Sequence, residues 1–185
     1  MERGANHFAA GLSESFCRMA QALKPGAPFV FTYHHNSLEA YYPIAVAILD
    51  AGLTCSASLP CLAEMGGSIH ISKTGSSIID TVFVCRVTGK VPRRLIVETP
   101  GDIANLVRED IERLRAGTVM PTRGDVRCII FGHMIRLAVW QLRHIWKRDM
   151  AIEEKLAAVA RYIQIPMDSR ASSSALVMSY CLLQG

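Results

Sequence analysis

The sequence predicts an α/β unit followed by a helical region. Three observations carry this. Short apolar, β-branched runs occupy residues 27–33, 53–59 and 77–86, a helix-spaced segment separates the first two, and from residue 101 onward only helical periodicity recurs. Half of the 185 residues are hydrophobic and 19% are charged, a balance suited to one globular core.

Phe8, Leu12, Phe16, Met19 and Leu23 recur at helical spacing and predict a first helix with one apolar face. Lys24-Pro25-Gly26 stops it, because proline lacks the amide donor and glycine favours a turn. The run APFVFTY at 27–33 has the length and composition of a buried strand, ended by His34 and His35. Asn36 and Glu39 have capping-box spacing ahead of a helix that buries Ile44, Ile48 and Leu49 and ends at Gly52. Pro43 implies either a kink or a helix that starts near Tyr42. Residues 53–59 form the second strand, closed by Pro60. A Gly/Ser-rich loop follows at 61–75, then the third strand at 77–86.

A strand–helix–strand unit predicts a parallel pair. The third strand follows without a helix and should return antiparallel. Residues 88–100 read as a basic, proline-bearing linker. Residues 101–164 read as a helical region. Its first helix carries Ile103, Leu106, Val107 and Leu114 on one face, capped by Asp102 and ended by Gly117. A second opens on a capping box from Thr122 to Asp125 and runs to about Lys147. A third carries Ile152, Leu156, Val159 and Ile163. The tail at 165–185 is Ser-rich, loses this pattern and reads as disordered or aberrant.

Net charge is +4, with the excess gathered between Arg123 and Lys147, which permits a nucleic-acid partner without requiring one. Six cysteines without a Cys-x-x-Cys pair suggest free thiols in a cytoplasmic protein. Cys55, Cys61 and His70 are too scattered to argue a metal site. No signal peptide or membrane span is expected. Gly66-Gly67-Ser68 and Lys73-Thr74-Gly75-Ser76 lack the spacing of a phosphate loop. Lys73-Thr74-Gly75 also lacks the companion motifs of penicillin-binding enzymes.

A closer pattern lies in the strings themselves. Leu23-Lys24-Pro25-Gly26 followed by Phe29-Val30-Phe31-Thr32, then FTYHHNSLEAYY, ILDAGLTCSASLPCLAEM and SSIIDTVFVCR, resemble large bacterial and archaeal adenine-specific DNA methylases. These are class I S-adenosylmethionine-dependent enzymes with an N-terminal domain of unknown function. The later strings GDIANLVREDIERLR and PTRGDVRCIIFGHMIRLAVW resemble the helical region that follows in that family. The resemblance covers about residues 6 to 163. It implies the C-terminal half of a class I methyltransferase sheet, S-adenosyl-L-methionine as donor in the full-length family, and DNA as partner. The chain contains no Gly-x-Gly and no Pro-Pro, so the family's donor turn and its Asp-Pro-Pro-Tyr-type motif are both absent.

The expectation is therefore a truncated DNA adenine-N6 methyltransferase, inactive alone. Its partner would be an upstream chain that completes the fold, or a second copy. The alternatives are a non-catalytic DNA- or partner-binding module and a small-molecule methyltransferase fragment, since the LKPG junction is common to many such enzymes. No catalytic residue is assigned.

Candidate substrate contacts are His34 and His35 at a strand end, and Glu64 in the loop where the family has an acidic residue. A polar turn is the stronger reading for the two histidines, and a structural role for Glu64 stands equal to the functional one. Arg136, Trp140, Arg143 and Lys147 share one face of the predicted long helix and could grip a DNA backbone. A solvated basic face near a helix C-terminus is the stronger reading.

Overall fold

Helix α1, Glu2–Ala22, buries Ala9, Ser13 and Phe16 and leaves Phe8 and Met19 exposed. The buried stripe is thus rotated from the predicted one. The computed structural model describes residues 2–63, 77–87, 91–92 and 95–168. After α1 come β1 (Phe29–Tyr33), a 3-10 turn (Leu38–Tyr41), α2 (Tyr42–Asp50), β2 (Leu53–Leu62), β3 (Ile79–Val87), α3 (Pro100–Ala116), α4 (Arg123–Leu142) and α5 (Ile152–Asp168). The fold is mixed α/β, with five helices and one three-stranded antiparallel sheet among the described residues.

The strand order is β1-β3-β2, and β3 pairs antiparallel with both neighbours. β1 and β2 therefore run in the same direction, as the strand–helix–strand pattern predicts, but they do not pair. The connection through α2 leaves room for one strand between them, and β3 fills it. This is a split strand–helix–strand arrangement. Both β1 and β2 become edges.

Edge position explains why Pro60 does not close β2. A proline is tolerated where its missing amide faces away from the ladder, and β2 continues to Leu62. A register shift between Cys55 and Ala57 marks a bulge at Ser56. Its consequence is that Cys55 and Cys61, six residues apart, fall on opposite faces of the sheet.

One sheet face is buried. Ile79, Thr81, Phe83 and Cys85 alternate inward along β3. Phe16 of α1 packs edge-on against Phe29 and Phe31 of β1, and Phe31 stacks on Phe83 with centroids 5.2 Å apart. Tyr41 lies 6.4 Å from Phe83 between centroids and extends this aromatic layer toward Phe131 of α4. α4 crosses the same face. At Gly132 an added Cβ would run into Ser58 Oγ and lie 2.9 Å from Thr81 Cγ2, so only a glycine lets the helix sit this close. The other face shows Val30 and Leu59 at 51% and 44% exposure, with Val82 and Val84 half-buried between them.

The helix boundaries follow local chemistry. α2 starts at Tyr42 with Pro43 in its first turn, where a missing amide costs nothing, and Gly52 at φ 68° terminates it. The predicted Asn36 cap does not form. Ser37 occupies the cap position of the 3-10 turn, and its hydroxyl bonds Glu39 instead of a backbone amide. α3 is capped by Thr99, with Asp102 as the reciprocal partner rather than the cap itself. α4 has the predicted Thr122–Asp125 capping box but ends at Leu142. One core joins both halves of the chain: Phe16, Ile44 and Phe83 belong to the same cluster as Ile135, Val139 and Ile163. The helical region therefore packs as a cover on the sheet.

Candidate functional site

β1 and β2 both end where β3 begins, so their C-terminal ends share one edge of the sheet with His34 and His35. Each histidine is tied by one ring nitrogen. His34 Nδ1 donates to the Ile79 carbonyl at 2.9 Å and lies 3.8 Å from Asp80. His35 Nδ1 accepts the Ser37 amide at 3.0 Å, closing the turn before the 3-10 segment. Both residues are exposed. Among the described residues neither Nε2 has a protein partner, so a ligand could reach both rings. Their placement serves the turn first. Glu64 lies outside the described residues, as do the 66–68 and 73–76 strings and His70.

Just inward of this edge, Asp125 locks α4 to the start of β3. Its carboxylate is fully buried and accepts four hydrogen bonds. Ser77 Oγ and the Ile78 amide donate to Oδ1 at 2.7 and 2.9 Å, and the Thr122 amide and hydroxyl donate to Oδ2 at 2.7 and 2.8 Å. Beside it burial pushes the Cys128 thiol up, opposed by hydrogen bonds to Ser77 and Tyr41. Cys128 itself donates to the His35 carbonyl at 3.7 Å.

The proposed basic helix face does not exist as one surface. Arg136 is only 6% exposed and points into the core, where it donates to the carbonyls of Ser56 at 3.1 Å and Leu95 at 2.9 Å. It cannot meet a phosphate in this fold. Arg143 and Lys147 lie beyond the end of α4, which stops five residues short of the predicted point. Trp140 and Arg143 do form a unit, with the guanidinium 3.0 Å above the ring centre. Lys147 is exposed and outside it.

What periodicity missed is a buried polar chain. His133 Nε2 donates to Asp110 at 2.9 Å, and its Nδ1 accepts from Arg136 Nη1 at 3.1 Å. Asp110 also accepts from Arg113 at 3.1 Å. A guanidinium has only donors, so His133 is held neutral with its proton on Nε2. Burial pushes the His133 imidazole below its usual range. The Asp110 hydrogen bond opposes this and the nearby Arg136 charge reinforces it. The i, i+3 spacing of His133 and Arg136 was visible in the sequence. Asp110, on another helix, was not.

A cleft of about 240 Å³ lies at the opposite end of the sheet, lined by Cys17, Gln21, Asp50, Val87 and Arg148 among others. Asp50 there is already engaged, by Lys155 Nζ and by Trp146 Nε1 at 2.9 Å. Among the described residues, no cluster of His, Cys, Asp or Glu could hold a metal ion, and no helix is long and apolar enough to cross a membrane. No protein-family model, curated protein or solved structure matches the chain.

Proposed function

We propose that this chain is the C-terminal part of an S-adenosylmethionine-dependent DNA adenine-N6 methyltransferase, inactive alone and completed by a partner that carries the donor site. The observation that carries the reading is the sheet: two strands running in one direction, joined through a helix, with the last strand reversed. The methylase-like strings cover all three strands.

Transfer to an exocyclic amine requires the donor methyl in line with the nitrogen, and acceptors for the charge that develops there. Without a glycine-rich turn or an Asp-Pro-Pro-Tyr motif, the chain can contribute only wall to such a site. His34 and His35, with free Nε2 atoms at the strand end, are the residues for that wall, and Trp140 with Arg143 is the surviving candidate for contact with DNA. β1 is an edge strand, and no described strand covers its outer side. That edge is the place for a completing strand from an upstream chain, or from a second copy.

The test is transfer of a labelled methyl group from S-adenosylmethionine to adenine-containing duplex DNA. The chain alone should give no product. Addition of the polypeptide translated from the DNA upstream of Met1 should give N6-methyladenine. An upstream translation without a glycine-rich turn and an Asp-Pro-Pro-Tyr motif would end the reading. A second reading, a non-catalytic DNA-binding module, rests on the Trp140–Arg143 pair. It requires duplex affinity that falls as salt rises, without any donor present.

A further inference from the structure

Cys55 of β2 and Cys85 of β3 stand directly opposite one another in the antiparallel register, on the buried face of the sheet. Both are free thiols, 4% and 0% exposed. Opposed residues in such a ladder have Cα atoms about 4.5–5.5 Å apart, inside the roughly 4.4–6.8 Å range a disulfide spans. The Cys55 thiol donates to the Ala57 carbonyl at 3.1 Å across the bulge, a bond it must release to react.

A cation stands beside them. Arg136 is fixed next to Cys55 by its bonds to the carbonyls of Ser56, the following residue, and of Leu95, while its Nε is buried with no partner among the described residues. The two thiols are not equivalent. The contact with Cys55, and then burial, push the Cys85 thiol well up, and Cys85 lies on the central strand while Cys55 lies on an edge. Cys55 also adjoins the bulge on an edge strand, where the ladder opens most easily.

We propose that Cys55 and Cys85 form a thiol–disulfide redox pair, with Cys55, beside the bulge on the edge strand, as the attacking thiol. When the edge strand opens at the bulge, Cys55 gives its proton to solvent and attacks one sulfur of a small-molecule disulfide such as glutathione disulfide. That breaks the S–S bond, releases one small thiolate and leaves a mixed disulfide on Cys55. Cys85 then loses its proton and attacks the Cys55 sulfur, releasing the second small thiolate. Two protein thiols are oxidised, one small disulfide is reduced, and the two released thiolates take up the two protons. The product staples β2 to β3 across the bulge. Nothing in this inference depends on the methyltransferase reading.

The test uses the full folded chain in a series of glutathione disulfide to glutathione ratios, quenched in acid and mapped without reduction. The expected result is a cross-linked peptide pair joining Cys55 to Cys85, with Cys17 and Cys128 unlinked. A mixed disulfide at the exposed Cys61 shows that the oxidant is active. Cys55→Ser and Cys85→Ser should each abolish the cross-link. If both thiols stay open to alkylation while Cys61 is oxidised, or if the pair links only after denaturation, the proposal fails. The wild-type mapping decides this even if a cysteine variant does not fold.

Discussion

His133 is where a single proton matters most. Its Nδ1 faces a guanidinium that can only donate, so protonation replaces a hydrogen bond with two opposed N–H groups. Glu109, Asp110 and Arg136 are the charged groups around it, and burial still prevails in lowering its proton affinity. The unfolded chain therefore binds the proton more readily, near pH 6.5, than the folded one. Stability should be fully present above that pH and should decline as pH falls below it, by up to about 1.4 kcal/mol per pH unit for this group. Denaturant titrations of wild type and His133→Gln between pH 7.5 and 5 check this, and the variant should lose part of the slope. Asp125 makes a second demand at this scale. Asp125→Ala removes the reciprocal half of the α4 capping box and takes their carboxylate acceptor from Ser77 and from the Ile78 amide, a loss of roughly 2–4 kcal/mol in the same assay. A third residue is poorly suited to its backbone. The α3 terminus is closed by bonds from the Thr118 amide to Arg115 and from the Val119 amide to Leu114, which put Thr118 at φ 63°, a position that favours glycine. Thr118→Gly should raise the unfolding free energy by about 0.5–1 kcal/mol, and an unchanged or lower value would show that the bond from its hydroxyl to the Gly117 carbonyl matters more.

At the scale of elements, α4 decides how the sheet is covered, and Gly132 decides how close α4 comes. A methyl group there meets the side chains of Ser58 and Thr81, which belong to different strands, so both must turn away in a packed core or the helix must lift. Gly132→Ala should therefore cost about 1–3 kcal/mol despite the better helix propensity of alanine, as thermal unfolding would show. A helix-propensity gain instead would mean that α4 is not seated on β2 and β3. The same element shows what could be read from sequence. The Thr122–Asp125 spacing located the start of α4, because a cap is local chemistry between neighbours. Its end was misplaced because His144 to Lys147 carry no breaker residue and continue the helical spacing. The three strands were legible from their apolar, β-branched runs, and the end of α2 from Gly52. The insertion of β3 between β1 and β2 was not, because chain order constrains direction more than neighbour choice. Arg136 was misread for a related reason. A charged residue at helical spacing looks like surface until the carbonyls of Ser56 and Leu95, distant in sequence, give it a reason to be buried.

For the whole molecule, the consequential feature is asymmetry: helices cover one face of the sheet, and among the described residues no strand pairs with the outer edge of β1. The opposite face presents Val30 and Leu59, and Val30 lies on the edge strand itself. An exposed strand edge with an apolar side chain offers backbone donors and acceptors and apolar area to any extended segment. Self-association needs no other partner, so the purified chain should form concentration-dependent dimers or larger species. Its apparent mass in analytical ultracentrifugation should rise across the micromolar range. Val30→Lys places a charge on that edge without touching the buried stack of Phe29, Phe31 and Phe83, so it should shift the population toward monomer while leaving the circular-dichroism spectrum unchanged. Should wild type stay monomeric and unfold cooperatively at every concentration, β1 would be stable as an edge by itself. The case for a completing strand from another chain would then lose its physical basis.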